Sequence, residues 1–561
     1  MITLESYLTD KHEPAKLARL EHLPDVETIE EHVVKVLSMS PDKGDMQDIG
    51  TRLGRSLGYK DQIDAFTTGA EILAIVSESY DDMLDISIED RSIDIVPLVE
   101  AVAEDFYETK PTLSPRSWKR NRNLKGESVI KNWGNHHDGR QDLVTLNRLQ
   151  AVELEIDLNV WFERDQFISE IYLDFKERMD EVLEEFIGKG FFFEWDFDKR
   201  GRFYIKGWVL NLQSDEEHKA MLSLRNHVLN TNLRNLKIAV AGHAGKDKLT
   251  WDERVAWFDS NPELIQTKFS TEGLTPDEIN SKKSGIEYFL GRKALRAFRK
   301  AEAHEPSGYM MSVDATASVL QIMATLLGCR DTAIRCNLID TGRREDPYTY
   351  LLNELEVDVD RSSLKDALMT SLYNSARTPE EIFGVDADLD LFYEAVEKIF
   401  PGAVAALDTI NAQWNYDADY HKWTLPDGHI AFVPVTEMVD ERIMIEELDG
   451  GLEVVYRHAV RQPSKRSSSL APNIIHSVDA YVAREMVKRT PFELLCIHDS
   501  FWFAPDHLQE VQQTYREILA EVSQSNLLAD IVSEIAGHPM KIRKFSYDLH
   551  KDILKSQYAL S

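Results

Sequence analysis

Two aspartates, far apart in the chain, are the residues best placed for metal-dependent chemistry. Asp314 ends an apolar run, residues 309–313 (YMMSV), and precedes an Ala/Leu/Met-rich stretch reaching residue 328. That pattern predicts a strand running into a helix, with the acid at the junction. Asp499 stands in 492–505 (FELLCIHDSFWFAP), where apolar runs 492–497 and 501–503 flank His498-Asp499-Ser500. The second pattern predicts a β-hairpin with the acid at its tip. A carboxylate at a strand end is fixed on a rigid element, which suits the near-octahedral oxygen coordination of magnesium. Two such acids on one sheet could hold a pair of Mg²⁺ ions roughly 3.5–4 Å apart, activating an attacking oxygen and stabilising a leaving phosphate. Each acid alone has a plainer reading: an aspartate before a helix is commonly its N-cap, and His-Asp-Ser is a short tripeptide that chance supplies.

A third segment, residues 361–373 (RSSLKDALMTSLY), carries Arg361, Lys365, Met369 and Tyr373 at four-residue intervals. Side chains so spaced share one helix face, here grading from charge to aromatic over roughly 18 Å, about the reach of an extended nucleoside triphosphate. Arg361 and Lys365 would grip phosphates while Met369 and Tyr373 meet base and ribose. An ordinary amphipathic helix with a basic end has the same spacing.

The three segments, in this order, resemble motifs A, B and C of the phage-type single-subunit DNA-dependent RNA polymerases, the bacteriophage and mitochondrial family. Residues 198–204 (DKRGRFY) resemble its D-x-R-G-R-x-Y segment, 471–477 (APNIIHS) its A-P-N-x-x-H-S, and 552–561 (DILKSQYALS) its carboxyl-terminal foot; 244–248 and 253–254 match further family residues. The likeness runs from about residue 140 to the end. It implies an α+β, predominantly helical right-hand polymerase, with thumb, palm and fingers around a small antiparallel palm sheet. It implies DNA-templated RNA synthesis from NTPs, with two Mg²⁺ ions held by Asp314 and Asp499 and with Lys365 and Tyr373 assisting catalysis. Arg361, Lys365, Met369, Tyr373, His476 and Lys248 would contact the nucleotide, Tyr373 and His476 sensing the 2′-hydroxyl, a group that both donates and accepts hydrogen bonds. Arg200 and Arg202 would touch nucleic acid, Arg202 at the nascent duplex. Departures from the family occur at Asp366, in place of a basic residue, at Asn374, in place of glycine, and at Ala315 and Val319, again in place of glycines. HDS rather than HDE, and no Glu in the helix after Asp314, favour ribonucleotides. A DNA polymerase or primase-like enzyme of the same superfamily, and a non-catalytic nucleic-acid-binding relative, are the competing readings.

The elements that must position these residues are spread over 561 residues, 43% hydrophobic and 29% charged, enough for several domains. Net charge is −33, awkward for a partner of nucleic acid, but it is unevenly placed: residues 1–110 hold 25 Asp and Glu against 10 Lys and Arg. That acidic segment reads as a helical domain, with apolar residues at helical spacing in 29–37 and 69–77, and could dock an accessory protein for promoter opening or recruitment. Residues 111–140, rich in Pro, Trp, Asn and basic side chains, read as a linker or loop in which Trp118 and Trp133 either stack on bases or anchor the chain. The expected parts are then thumb-like helices at 141–190, palm with motif A at 191–330, fingers at 331–470, and palm with motif C and the foot at 471–561. Within the fingers, 437–461 predicts a hairpin turning at Asp449-Gly450-Gly451, whose Arg457 and Arg461 could read base edges or simply edge the fold. Basic clusters at 116–125, 199–206, 292–300, 457–466 and 541–544 could line a nucleic-acid cleft or balance local acids. No apolar run reaches membrane-spanning length and no signal peptide opens the chain, and the three cysteines lack metal-ligand spacing. The expectation is a cytoplasmic protein, in a bacterial host if viral, with no membrane partner.

Overall fold

The structure, a computed structural model, describes residues 3–9, 11–38, 43–79, 84–87, 92–95, 110–121, 128–131, 141–163, 182–207, 210–213, 216–272, 274, 278–279, 285–355, 357, 359–385, 387–447, 451–460 and 469–561. It is predominantly helical with small antiparallel sheets, an α+β chain as the pattern predicts. Two compact units divide it. Among the described residues no helix is long and apolar enough to cross a membrane.

The first unit comprises Met1–Lys110, Glu170–Glu184 and Thr436–Gln462. Helices Val26–Ser38 and Gln62–Ser79 form where helical spacing predicts them, joined by helix Met46–Ser56 and a three-stranded sheet that the helical reading did not anticipate. The expected hairpin pairs Glu437–Ile445 with Leu452–Val460, and its inward face completes this unit's core: Ile443, Ile445, Val454 and Tyr456 pack with Ile29, Leu53 and Phe66. Phe66 and Tyr456 stack at 4.4 Å and 8°. Its turn residues Asp449 and Gly450, and Arg461 beyond it, lie outside the described residues. Buried ions join the same parts: Glu71 accepts from Arg19 at 2.8 Å and from Tyr7, and Lys16 bridges Glu71, at 3.5 Å, to Glu447. Small residues let helices Met46–Ser56 and Gln62–Ser79 cross at backbone contact. A Cβ on Gly54 would stand 1.9 Å from the Ala65 carbonyl oxygen, and one on Gly69 1.9 Å from that of Gly50.

The second unit comprises Pro111–Ser169, Glu185–Val435 and Pro463–Ser561. At its centre is a three-stranded antiparallel sheet in which Ser500–Phe503 lies between Leu494–Ile497 and Met311–Asp314. Helix Ser318–Leu327 is apolar on nearly every side because it packs against helices Pro401–Asn411, Leu470–Arg489 and Leu508–Gln524. One of its two buried polar residues, Gln321, is satisfied by Tyr515 at 2.7 Å and by the carbonyls of Cys336 and Ala559. Gly328 ends the helix at φ 67°, with a Cβ position only 2.0 Å from the Ser546 carbonyl oxygen, so no other residue fits there. The stretch after Asp142 departs from the continuous helix its composition suggests. Helix Leu143–Gln150 gives way to strand Leu154–Ile156, paired with Leu222–Leu224, before helix Leu158–Glu163. The alternation of Leu154, Glu155 and Ile156, buried at both ends, outweighs the helix propensity of its neighbours.

Gly69→Ala is expected to splay the crossing of helices Met46–Ser56 and Gln62–Ser79, a loss of about 1–3 kcal/mol. Hydrogen exchange across residues 46–79 would accelerate roughly tenfold or more. Unchanged protection there would show that the backbone contact does not hold this unit.

Candidate active site

Asp314 and Asp499 are brought together by strand register. Asp314 is the last residue of its strand and pairs with Ser500, while the Ala315 amide donates to the Asp499 carbonyl at 3.1 Å. Asp499 follows His498 in the two-residue turn of the hairpin, and His498 takes φ 55°, the left-handed conformation such turns require. The N-cap alternative for Asp314 does not hold: helix Ser318–Leu327 starts after Ala317, at φ 57°, with no side-chain cap. The chain terminus closes the other side of the strand, Ser561 donating its amide to the Asp314 carbonyl at 2.9 Å and Leu560 bridging to Ala315.

Both carboxylates are crowded by protein, yet Asp314 opens onto a cavity of about 380 Å³. Burial raises the Asp314 carboxyl above the usual carboxylate range, against a hydrogen bond from Ser500. Burial pushes Asp499 up to about 7, reinforced by the charges of Asp479 and Asp314. Among the described residues no histidine, cysteine or third acid joins them as a ligand cluster, since Asp479 is spent on Arg202 at 2.7 Å. Asp314 at an open cavity, with Asp499 beside it, fits a hard divalent cation, which would take oxygen ligands and keep waters.

The cavity's other lining includes Arg361 and Lys365, at one end of helix Arg361–Leu372, with Lys248, Arg254, Arg344, Asp346 and Tyr348. Asp360 caps that helix through the Ser362 and Ser363 amides, at 2.8 and 3.2 Å. Arg361 pairs with Asp346 at 2.7 Å. The Tyr348 ring lies under both cations, 5.2 Å from the Arg361 guanidinium and 5.8 Å from Lys365 Nζ, and its hydroxyl points at Met369 Sδ, 3.7 Å away. The predicted face therefore exists, and Tyr348 and Arg344 belong beside it. The sequence analysis singled out neither, since both lie between the Asp314 and Arg361 segments, where it found no motif. Pro347 at the start of helix Pro347–Glu354, after Asp346, is the signal that could have placed Tyr348 in a helix entering this region.

Tyr373 ends the face, its ring edge-on to His476 at 4.8 Å. Burial first, then the charges of Arg202 and Arg200, push His476 down to about 2, so its ring is neutral. The Arg200 Nη1 lies 2.9 Å from its Nδ1, which must accept that bond, leaving the proton on Nε2. Asn374, in place of a glycine, sits at φ 60°, a conformation asparagine tolerates better than most residues.

Asp198 organises the 198–204 turn, its Oδ1 accepting the Arg200 and Arg202 amides at 2.8 and 3.0 Å and its Oδ2 the Arg200 side chain at 2.7–2.8 Å. The close approach that Gly201 permits is filled by Arg484, whose Nη1 donates to the Gly201 carbonyl at 2.8 Å. Trp118 is held by paired bonds to Asn147 and lies under Arg116 at 4.4 Å, while Trp133 is outside the described residues. Arg457 belongs to the first unit, where Asp440 binds its guanidinium at 2.6 and 2.8 Å.

Because its folded pKa is raised, Asp499 favours the fold at low pH, and that contribution is lost as pH rises through about 7. In chelator-treated protein, Asp499→Asn is therefore expected to raise the melting temperature by a few degrees at pH 8, on the order of 1–2 kcal/mol after solvent screening, and by less at pH 5. An equal effect at both pH values, in thermal denaturation, would contradict the repulsion.

The family model for DNA-dependent RNA polymerases matches residues 227–378 and 418–558. The chain is 25% identical over 409 residues to a DNA-directed RNA polymerase of Pseudomonas phage phiKMV, covering 62% of this chain and 48% of that protein. It is 24% identical over 426 residues to a mitochondrial DNA-directed RNA polymerase of Schizosaccharomyces pombe, covering 64% and 36%. To a chloroplastic DNA-directed RNA polymerase of Nicotiana sylvestris it is 21% identical over 539 residues, covering 81% and 53%. The matches span about a third to a half of the length of these relatives. The matched residues take in Asp314, the Arg361 helix, His476 and Asp499, and with them the chain belongs to the DNA-dependent RNA polymerases of the phage and mitochondrial type.

Proposed function

We propose that this protein synthesises RNA on a DNA template, joining nucleoside triphosphates at Asp314 and Asp499. The observation that carries the reading is the strand end that brings Asp314 beside the turn residue Asp499, with Asp314 opening onto a cavity also lined by Arg361 and Lys365. Asp314 and Asp499 would hold divalent metal, two Mg²⁺ ions in the reading the family suggests. Bound there, magnesium lowers the pKa of the RNA 3′-hydroxyl and neutralises charge on the phosphates. Arg361, a fork of donors, and Lys365, a mobile charge, orient the triphosphate for in-line attack of the 3′-oxygen on the α-phosphate. Lys248, 59% exposed and paired with Asp247 at 2.8 Å, is free to swing toward it.

Sugar choice is assigned to Tyr373 and His476. The neutral His476 presents Nε2–H as a donor to a 2′-hydroxyl, because Arg200 fixes its Nδ1 as the acceptor. Tyr373, its hydroxyl held protonated by burial, closes over the new pair. Arg202, tied to Asp479, supports the hairpin that carries Asp499 and faces the nascent duplex. In this reading the second unit's central sheet is the palm of a right hand, with thumb-like helices before it and fingers around the Arg361 helix. The acidic first unit then receives an accessory protein, and its hairpin meets promoter DNA.

Primer extension on an RNA–DNA scaffold with Mg²⁺ tests this. Ribonucleotides are expected to extend the primer in preference to deoxyribonucleotides. Asp314→Ala and Asp499→Ala should each lower extension by at least about 10³-fold with scaffold affinity retained. Near-normal extension by either variant would defeat the assignment, and a preference for deoxyribonucleotides would favour a DNA polymerase.

A further inference from the structure

Arg254 and Arg344 form a second group of cations in the cavity, distinct from the Arg361 face. Arg254 is 5% exposed; its Nη2 donates to the Asp247 carbonyl at 2.5 Å, its Nε to the Leu249 carbonyl at 3.1 Å, and its guanidinium lies over the Trp251 ring at 4.6 Å. Arg344 donates Nη1 to the same Asp247 carbonyl at 2.7 Å and Nε to Ser561 Oγ at 3.0 Å. One backbone oxygen thus holds two guanidiniums side by side. Among the described residues neither has a carboxylate within ion-pair distance, and the acids around them are engaged elsewhere, Asp247 by Lys248 at 2.8 Å and Asp346 by Arg361 at 2.7 Å. Burial, and the charge of Arg344, hold Arg254 down to about 10; burial lowers Arg344 too. Asp247 lies near both and Asp346 and Asp314 near Arg344, yet none pairs with either, so two adjacent guanidiniums keep donors for an arriving anion.

Their position says which anion. Ser561, the acceptor for Arg344, donates its own amide to the Asp314 carbonyl, so the pair stands beside the strand end that carries Asp314. A phosphate chain entering at Asp314 would pass its distal groups to these arginines. We infer that Arg344, backed by Arg254, binds the β- and γ-phosphates of the entering nucleotide and the inorganic pyrophosphate that leaves. This rests on the polymerase reading. In that reaction the 3′-oxygen forms the new bond to the α-phosphorus as the bond from that phosphorus to the β-bridging oxygen breaks. The electron pair goes to pyrophosphate, and the 3′-hydroxyl proton passes to water. Arg344 meets the leaving group's charge with two forked N–H donors, which a lysine reproduces only in charge.

The test uses the full chain and inorganic pyrophosphate, in calorimetric titration and in the reverse reaction on an RNA–DNA scaffold. Arg344→Ala is expected to weaken pyrophosphate binding, and to raise KM for both NTP and pyrophosphate, by about 10–100-fold. Melting temperature and scaffold affinity should be unchanged, and Arg344→Lys should recover part of the loss. Arg344→Gln, which keeps a donor for Ser561, guards against loss of folding and should behave as Arg344→Ala. Wild-type pyrophosphate affinity in folded Arg344→Ala or Arg344→Gln would overturn the inference while leaving extension, and the polymerase reading, intact. If the wild-type chain extended no RNA yet bound pyrophosphate through Arg344, the polymerase reading would fall and the binding site would stand.

Discussion

The strand register that sets Asp314 and Asp499 side by side is the constraint on which the second unit's design turns. The register of strand Ser500–Phe503 on strand Met311–Asp314 puts Ser500 opposite Asp314 and so sets the preceding Asp499 beside it. Left alone, two carboxylates crowded by protein would take up protons or move apart. The sheet restrains movement, because its strands are sealed by buried Val313, Cys496, Phe501 and Phe503 and by helix Leu470–Arg489 packed on strand Leu494–Ile497. Packing thus fixes the two acids beside each other.

Around that pair the chain separates its charges by neighbour rather than by distance. Asp479, close enough to raise Asp499 further, is bound by Arg202. Arg200 is bound by Asp198 and hydrogen-bonded to His476, whose ring burial and the Arg202 and Arg200 charges keep neutral, so the Tyr373 and His476 side adds no free positive charge. Arg361 is shielded by Asp346 and by the Tyr348 ring, while Arg254 and Arg344 share the Asp247 carbonyl and have no ion-pair partner among the described residues. The net charge of −33 therefore says little about the cavity, whose lining sets Lys248, Arg254, Arg344, Arg361 and Lys365 against Asp247, Glu287, Asp314, Glu345 and Asp346. Local pairing decides which cations are available to a polyanion.

Much of this was legible in the sequence because it is local. The strand before Asp314, the hairpin tip at Asp499 and the four-residue rhythm from Arg361 to Tyr373 are each short patterns with one geometric solution, and the structure contains them. What could not be read depends on residues distant in sequence. Arg254 and Arg344 meet only because one carbonyl lies between them, and Tyr348 lies under Lys365 only after two helices have packed. The strand Leu154–Ile156 was masked by helix-forming neighbours, since three alternating residues weigh little until a partner strand is present. Likewise, nothing local in 437–460 announces that its apolar face belongs to the core of the amino-terminal helices.

The central claim is that Asp314 and Asp499 are held in repulsion for a cation to relieve. The most direct measurement is the melting temperature of the full chain at pH 8 as Mg²⁺ is added after chelation. The account predicts a saturable rise of several degrees in the wild type and little or none in Asp499→Asn, whose repulsion is already removed. An equal rise in both, or none in the wild type at millimolar Mg²⁺, would contradict it.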